Sequence, residues 1–307
     1  MSVSIGIDVA KDKLDIFYND QSEVIKNTTK AIRDFFSKVD KHCQIVMEST
    51  GIYHRVAHNE LESLGFAVMI INPFQSKHFA KSMNVLCKTD KVDAKILALF
   101  GERMDFKATS CLSGQQQKMQ DLMRHLDDLK KHKVQLTLQK NETPRWTNQS
   151  FDRVLEALEK SISEVEDKLH NMVMSDDVLK QKVTLLQTIP GIGVSTAIML
   201  LCYMSELGRL NKKQIAALAG LAPVCNDSGR HKGKRVIRGG RHDIRSHLYM
   251  PILGAATMHN KRLNVFYKRL VDNGKLKKVA LTACMRKLVV WANAILQTGQ
   301  SWQENMA

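Results

Sequence analysis

The sequence predicts an α/β domain on a mixed sheet, then a helical hairpin, then a mainly α-helical C-terminal domain. Three observations carry this reading. Short β-type runs alternate with helical spacings over roughly the first third of the chain. A narrow two-per-seven apolar seam follows. Helix-length apolar stretches then flank a Pro-Gly-Ile-Gly turn.

Residues 3–7 (VSIGI) form an apolar run ending at Asp8, and 13–18 (KLDIFY) alternate as a second strand, giving an early hairpin. Ile32, Phe35, Phe36 and Val39 have helical spacing over 30–40. Residues 43–47 (CQIVM) read as a buried strand ending at Glu48, 53–64 as helix and 66–71 (FAVMII) as strand. Pro73 after Asn72 starts a helix over 73–81, and 89–104 is helical. Further on, Met119, Leu122, Leu126 and Leu129 mark one heptad helix, and Leu155, Leu158, Ile162, Val165, Leu169 and Met172 a second. The Pro-containing break at 141–146 makes them an antiparallel hairpin, a coiled-coil linker that packs on itself or on another subunit. Residues 185–204 read as helix, turn, helix; 211–219 as a short helix; 225–242 as a polar, Gly-rich loop. Helices over 243–259, 261–272 and 275–296 follow. The expected domains are 1–108, 109–182 and 183–307.

Composition narrows the function. The 307 residues are 44% hydrophobic, ample for a core. The apolar runs are shorter than the roughly 20 residues a bilayer requires, so no membrane span is expected. The N-terminus does not read as a signal peptide. The six cysteines are scattered without a CxxC pair, which argues against structural zinc or a disulfide scaffold and for a reducing, cytoplasmic setting. The net charge of +15 is concentrated: residues 226–287 carry 16 basic and 3 acidic side chains, whereas 1–105 carry 14 of each. Such concentration points to a polyanion, nucleic acid first.

Three constellations can carry chemistry. Asp8 and Glu48 each end a predicted strand, where ligands of open α/β sheets bind. Asp90 and Asp93 share one face of a helix start. Together the four acids suit a hard divalent cation such as Mg²⁺; two ions about 3.5–4 Å apart would clamp the attacking and leaving oxygens of a phosphodiester. Taken singly, strand-Gly-Ile-Asp also opens sugar-kinase-like domains, and Asp-x-x-Asp also serves as a helix cap. Gly191 and Gly193 of Pro190-Gly-Ile-Gly193 fit a helix-hairpin-helix, whose backbone approaches a phosphate; a tight interhelical turn is the alternative. Arg230, Lys232, Lys234, Arg235, Arg238, Arg241 and Arg245, interleaved with glycines, suit phosphate tracking. Ser228 lies among them. Chemistry alone favours an ordinary turn serine there, although a hydroxyl so placed attacks phosphorus once a metal or base removes its proton.

These residues fall in motifs that resemble a known family. G-I-D-V-A-K (6–11), M-E-S-T-G (47–51), N-P-F-Q (72–75) and K-T-D-K-V-D-A (88–94) are similar to the RuvC-like (RNase H-like) DEDD domain of piv-type insertion-sequence transposases of the IS110 group. P-G-I-G (190–193), A-G-L-A-P (219–223), S-G (228–229), G-K-R-V-I-R-G-G (233–240) and V-A-L-T-A-C-M-R-K-L (279–288) resemble that family's C-terminal transposase domain. The resemblance implies that Asp8, Glu48, Asp90 and Asp93 form a Mg²⁺-binding tetrad, with Lys88 beside it contacting nucleic acid. It implies that Ser228 attacks DNA and forms a phosphoserine link. Ser246 also lies in the basic region, but Ser228 carries the matching Ser-Gly step. It further implies a composite site between subunits of a dimer-based tetramer, donor and target DNA as substrates, a bridge RNA that guides target choice, and work on the nucleoid of a bacterial cytoplasm.

The expected activity is therefore that of a DNA transposase or recombinase. A RuvC-like structure-specific nuclease, a junction resolvase with water as nucleophile, would use the same acids without the serine. A non-enzymatic DNA- or RNA-binding protein is the third reading, and the presence of all four acids argues against it.

Overall fold

Strand β1 (Ser4–Val9) is apolar on both faces and buried except at Asp8, which marks it as a central strand. The structure is a computed structural model describing residues 3–85, 89–229, 231–233 and 235–303. It divides into two compact units, Met1–Ser113 and Gly114–Ala307.

In the first unit β1 pairs antiparallel with β2 (Lys13–Tyr18), which pairs antiparallel with β3 (Gln21–Lys26). On its other side β1 pairs parallel with β4 (Gln44–Glu48), and β4 with β5 (Ala67–Ile71). The order β3-β2-β1-β4-β5 is the expected mixed sheet, plus one strand that sequence reasoning did not anticipate. The missed strand β3 is almost wholly exposed, so its sequence QSEVIK has no buried face to read. Helices α1 (Thr29–Phe36) and α2 (His54–Ser63) set Ile32, Phe36, Ala57 and Leu61 against Ile5, Ile7, Ile45 and Met47. Helix α3 (Pro73–Ser82) starts at the capping box of Asn72 and Gln75. Helix α4 (Asp90–Arg103) packs Leu97 and Phe100 on Val46, Met69 and Ile71. Val46 alternates with Ile45 and Met47 along β4, so α4 lies on the sheet face opposite α1 and α2.

Two glycines let α4 come this close. A Cβ on Gly6 would stand 1.9 Å from the Ala94 carbonyl oxygen and 2.4 Å from the Ala98 nitrogen. A Cβ on Gly101 would stand 2.1 Å from Ser4 Oγ and 2.7 Å from Val46 Cγ2. The helix thus runs antiparallel along β1 almost backbone to backbone, and its N-terminus arrives where β1 ends.

The second unit begins with α5 (Gly114–Glu142) and α6 (Asn148–Met174), joined by a short 3₁₀ turn. Lys130–Glu166 at 2.7 Å, Lys133–Glu159 at 2.8 Å and the Lys140–Asp152 pair fix them as antiparallel neighbours. Met119, Met123 and Leu126 are buried near the base, with Leu169 and Val173. Towards the tip the expected seam residues Leu155, Leu158, Ile162 and Val165 are only half-buried, and Val134, Leu138 and Trp146 are exposed.

Helices α7 (Asp177–Gln187), α8 (Val194–Tyr203) and α9 (Lys212–Leu218) follow. The region read as a featureless loop holds four two-residue strands, β6 (Pro223–Val224), β7 (Asp227–Ser228), β8 (His231–Lys232) and β9 (Val236–Ile237), paired β6 with β9 and β7 with β8. Strands this short leave no periodic signal in sequence. Helix α10 (His242–Gly254) contains Pro251 and passes into a π-helical turn at Ala255–His259; α11 (Lys261–Asp272) and α12 (Lys277–Thr298) complete the unit. Among the described residues α12 is the one helix long and apolar enough to cross a bilayer. It buries Ala280, Leu281, Cys284, Met285, Leu288, Val289, Ala292 and Ile295 in the core, against α7, α9, α10 and α11. It is the unit's central core helix.

A polar cluster ties three of these helices together. Asp127 of α5 accepts hydrogen bonds from Tyr203 of α8 and from His247 Nε2 of α10, the latter at 2.6 Å. The other ring nitrogen of His247 lies 2.6 Å from the Asp243 carbonyl. With an acceptor at each nitrogen, the imidazolium is the form that satisfies both. The Asp127 bond raises the His247 pKa above its usual value, more than burial lowers it. Burial works to raise the Asp127 pKa, but the bonds from His247 and Tyr203 outweigh it and hold it below the usual range.

Two outcomes are expected. Gly6→Ala should lower unfolding free energy by roughly 1–3 kcal/mol or more, the range for overpacked cores. Gly114→Ala, whose Cβ meets open space, should leave it unchanged; urea midpoints decide both. For the Asp127–His247 pair, the His247 contribution is complete below its unfolded pKa and lost as pH rises through the higher folded value. The Asp127 contribution is complete above its unfolded pKa and lost as pH falls through the lower folded value. The stability difference between wild type and His247→Gln should therefore peak between about pH 4 and 6.5 and shrink at pH 9 in urea titrations.

Candidate functional site

The carboxyl ends of the parallel strands gather acids. Ile7 of β1 is in register with Met47 of β4, so Asp8 and Glu48 follow side by side at adjacent strand ends. Across the antiparallel pairing Asp8 faces Asp15 of β2. Thr89 caps α4 by accepting from the Val92 nitrogen, so Asp90 and Asp93 occupy the helix's first turn. The close α4–β1 packing carries that turn to Asp8.

Electrostatics register this convergence on one atom group. The Asp8 carboxyl is pushed from 3.8 up to about 6, by burial first and then by repulsion from Asp93, Asp90, Glu48 and Asp15. Asp93, Asp90 and Glu48 thus each lie near enough to Asp8 to act on its charge. Asp15, buried in β2, is a fifth that sequence reasoning missed. Its signal was present: an acid between Leu14 and Ile16 in an otherwise apolar strand. Lys13 was missed as well. Its ammonium contacts Asp90 at 2.7 Å and Asp15 at 2.9 Å, and these bonds raise its pKa. Ser76 of α3 donates a hydrogen bond to Glu48 and holds that carboxylate in place.

The donor set suits a hard divalent cation: every atom is a carboxylate oxygen, and the acids repel one another. Among the described residues, no three His, Cys, Asp or Glu side chains stand in coordinating arrangement around a common point. Asp90 is turned to Lys13 instead. Lys88 lies outside the described residues.

Ser228 belongs to the second unit. It is exposed at the end of β7, in register with His231 of β8, with Gly229 in the left-handed region at φ 55°. Asp227 steadies this hairpin by accepting from the Gly233 nitrogen at 3.1 Å and pairing with Arg235 at 3.7 Å. Lys232 and Arg238 lie on the same segment; Arg230 and Lys234 lie outside the described residues.

Two arginines expected to face nucleic acid make bonds within the protein. Arg241 grips both oxygens of Glu206, at 2.6 and 2.7 Å, and donates to the Tyr203 carbonyl. Arg245 donates to the carbonyls of Gly220 and Gly239. Gly220 and Gly240 touch backbone to backbone, since a Cβ on Gly240 would stand 2.2 Å from the Gly220 nitrogen. The A-G-L-A-P and R-G-G-R segments are thus crossed and pinned. At the helix-turn-helix, Gly191 (φ 97°) is packed on Ala255, where its own Cβ would stand 2.4 Å away, and Asn260 donates to the Pro190 carbonyl. Gly193 is exposed at the N-terminus of α8 with open space around its Cα. Of the two glycines, Gly193 is the one with room for an anion.

A family model for the DEDD-type IS110 group, described as Transposase, matches residues 5–143, and one described as Transposase IS116/IS110/IS902 family matches residues 183–268. Relatives include proteins named pilin gene-inverting protein from Moraxella lacunata and Moraxella bovis. Each is 27% identical, with 98% of this chain and 98% of the relative covered. With both transposase domains present in order, the chain belongs to the IS110 family of transposases.

Proposed function

We propose that this transposase cuts and rejoins DNA through a serine-linked intermediate, using the Asp8, Glu48, Asp90 and Asp93 carboxylates to hold Mg²⁺ in a RuvC-like domain. The observation that carries the proposal is the placement of Glu48, Asp90 and Asp93 around Asp8 at the end of β1, where burial and then their repulsion raise the Asp8 pKa. The gene-inverting names of the relatives support a reaction that conserves the DNA it moves. When bound, the metal ions would supply charge stabilisation at the scissile phosphate.

The chain's own residues divide the remaining work. Ser76 orients Glu48, and Lys13 holds Asp90 and Asp15. Lys232, Arg235 and Arg238, with the open α8 N-terminus at Gly193, receive backbone phosphates; Lys88, Arg230 and Lys234 take the same role from their motifs. Arg241 and Arg245 hold that loop in shape. Ser228 Oγ attacks phosphorus as its proton passes to water. The Oγ–P bond forms as one P–O bond of the DNA breaks, and the departing oxygen takes a proton to become a free hydroxyl end. A DNA hydroxyl later attacks the phosphoserine and restores the serine, so no external energy source is required. From the family resemblance we infer that two subunits contribute to each site in a dimer-based tetramer. Guidance by a bridge RNA is part of the same reading, and the concentrated positive charge of 226–287 suits it.

Ser228→Ala should abolish covalent protein–DNA adducts on denaturing gels while leaving DNA binding intact; adducts that persist would assign the link to another residue. Mg²⁺-dependent cleavage that survives this substitution would favour water as nucleophile. Asp8→Asn should reduce cleavage by more than about 100-fold, the upper range for losing an outer-shell metal partner. In EDTA at pH 8 the same variant should be more stable than wild type by roughly 1 kcal/mol, because it removes a repelled carboxylate. Urea unfolding with and without Mg²⁺ measures both sides of that trade.

A further inference from the structure

A second cationic cluster lies away from the Gly-rich loop, on α11 and α12. Arg262, Phe266 and Arg269 are spaced four and three apart, on one face of α11. Lys287 and Trp291 are spaced four apart on α12. The Lys287 ammonium stands 4.6 Å from the centre of the Phe266 ring and 5.4 Å from that of Trp291. The Arg269 guanidinium stands 5.3 Å from Phe266. Arg262 stands 5.8 Å from Trp291 and 5.9 Å from Trp302, and the two indoles pack at 4.5 Å.

Three cations therefore surround three aromatic rings. Among the described residues no carboxylate is within ion-pair distance of Arg269 or Lys287. Burial and then the charges of Arg262 and Arg269 lower the Lys287 pKa, so these groups work against one another. A cap for the tryptophans needs one cation, and each such contact contributes only about 0.5–1 kcal/mol at an exposed site. Arg269 and Lys287, two like charges held against the same Phe266 ring, are better matched to an anion that bridges them. The rings restrain the long side chains beforehand, which reduces the entropy lost when a phosphate is gripped. Exposed Lys261 and Lys268 on the same helix extend the positive surface, as a polymer of phosphates requires.

We propose that Arg269 and Lys287, on the aromatic bed that Arg262 also caps, form a backbone-phosphate site for duplex DNA, separate from the Ser228 loop. The proposal rests on the DNA-rearranging reading above, and it gives a role to the V-A-L-T-A-C-M-R-K-L segment that ends beside Lys287. Contacts of this kind position DNA without reading its sequence.

The test is affinity of the full-length protein for a labelled duplex oligonucleotide of scrambled sequence, measured over a series of salt concentrations. Arg269→Gln and Lys287→Gln should each lower the slope of log affinity against log salt by about 0.9, the value for one phosphate contact in duplex DNA. Lys287→Arg should keep the wild-type slope. Arg269 is exposed, so its variant reports even where Lys287→Gln is less stable by thermal unfolding. Wild-type slopes in both Gln variants would overturn the phosphate site and leave the DNA reading standing. A wild-type protein without salt-dependent DNA binding would overturn both.

Discussion

The approach of α4 to β1 is the contact on which the acid site depends. Gly6 and Gly101 remove the side chains that would hold helix and strand apart. The helix lies close along the strand, and its first turn meets the strand's end. Helix direction, strand direction and the absence of two Cβ atoms together place Asp90 and Asp93 beside Asp8. The G-I-D motif thus joins a packing requirement to a chemical one: the glycine brings the helix and the aspartate receives what it carries. Leu97 and Phe100 then fill the space on either side of the near-contact.

Charge in this protein has two kinds of employment. Over residues 1–105, equal numbers of acids and bases hide a local excess of carboxylate at the strand ends, relieved by Lys13. In the second unit a large positive excess contains cations with opposite duties. Arg241 and Arg245 satisfy carboxylate and carbonyl oxygens of the protein, and so shape the loop. Lys232 and Arg238 extend from that shaped loop. A bidentate guanidinium is well suited to crossing two backbone segments, because its fork meets several acceptors in one plane.

The early hairpin, the mixed character of the sheet, the helix starts at Asn72 and Thr89, and the acids at strand ends were legible because local rules govern them: alternation, capping and strand polarity. Asp15 and Lys13 required the register of β1 on β2, which pairs residues distant from any shared motif. Strand β3 has no buried face and strands β6 to β9 have no length, so neither leaves periodicity. The helical hairpin was legible as a pair of helices, yet its seam is half open towards the tip, which heptad spacing alone does not reveal. The arginines show the limit of reading charge from sequence: a cation's partner, internal or external, is a property of the fold.

The Ser228 hairpin has a thermodynamic consequence. Two strands of two residues, steadied by one aspartate, have little cooperative stability of their own. The acids sit on a five-stranded sheet with helices on both faces. On the proposed reaction, the serine therefore stands on an element whose order takes little free energy to gain or lose, whereas Asp8 and Glu48 stand on strands that open only with much of their unit.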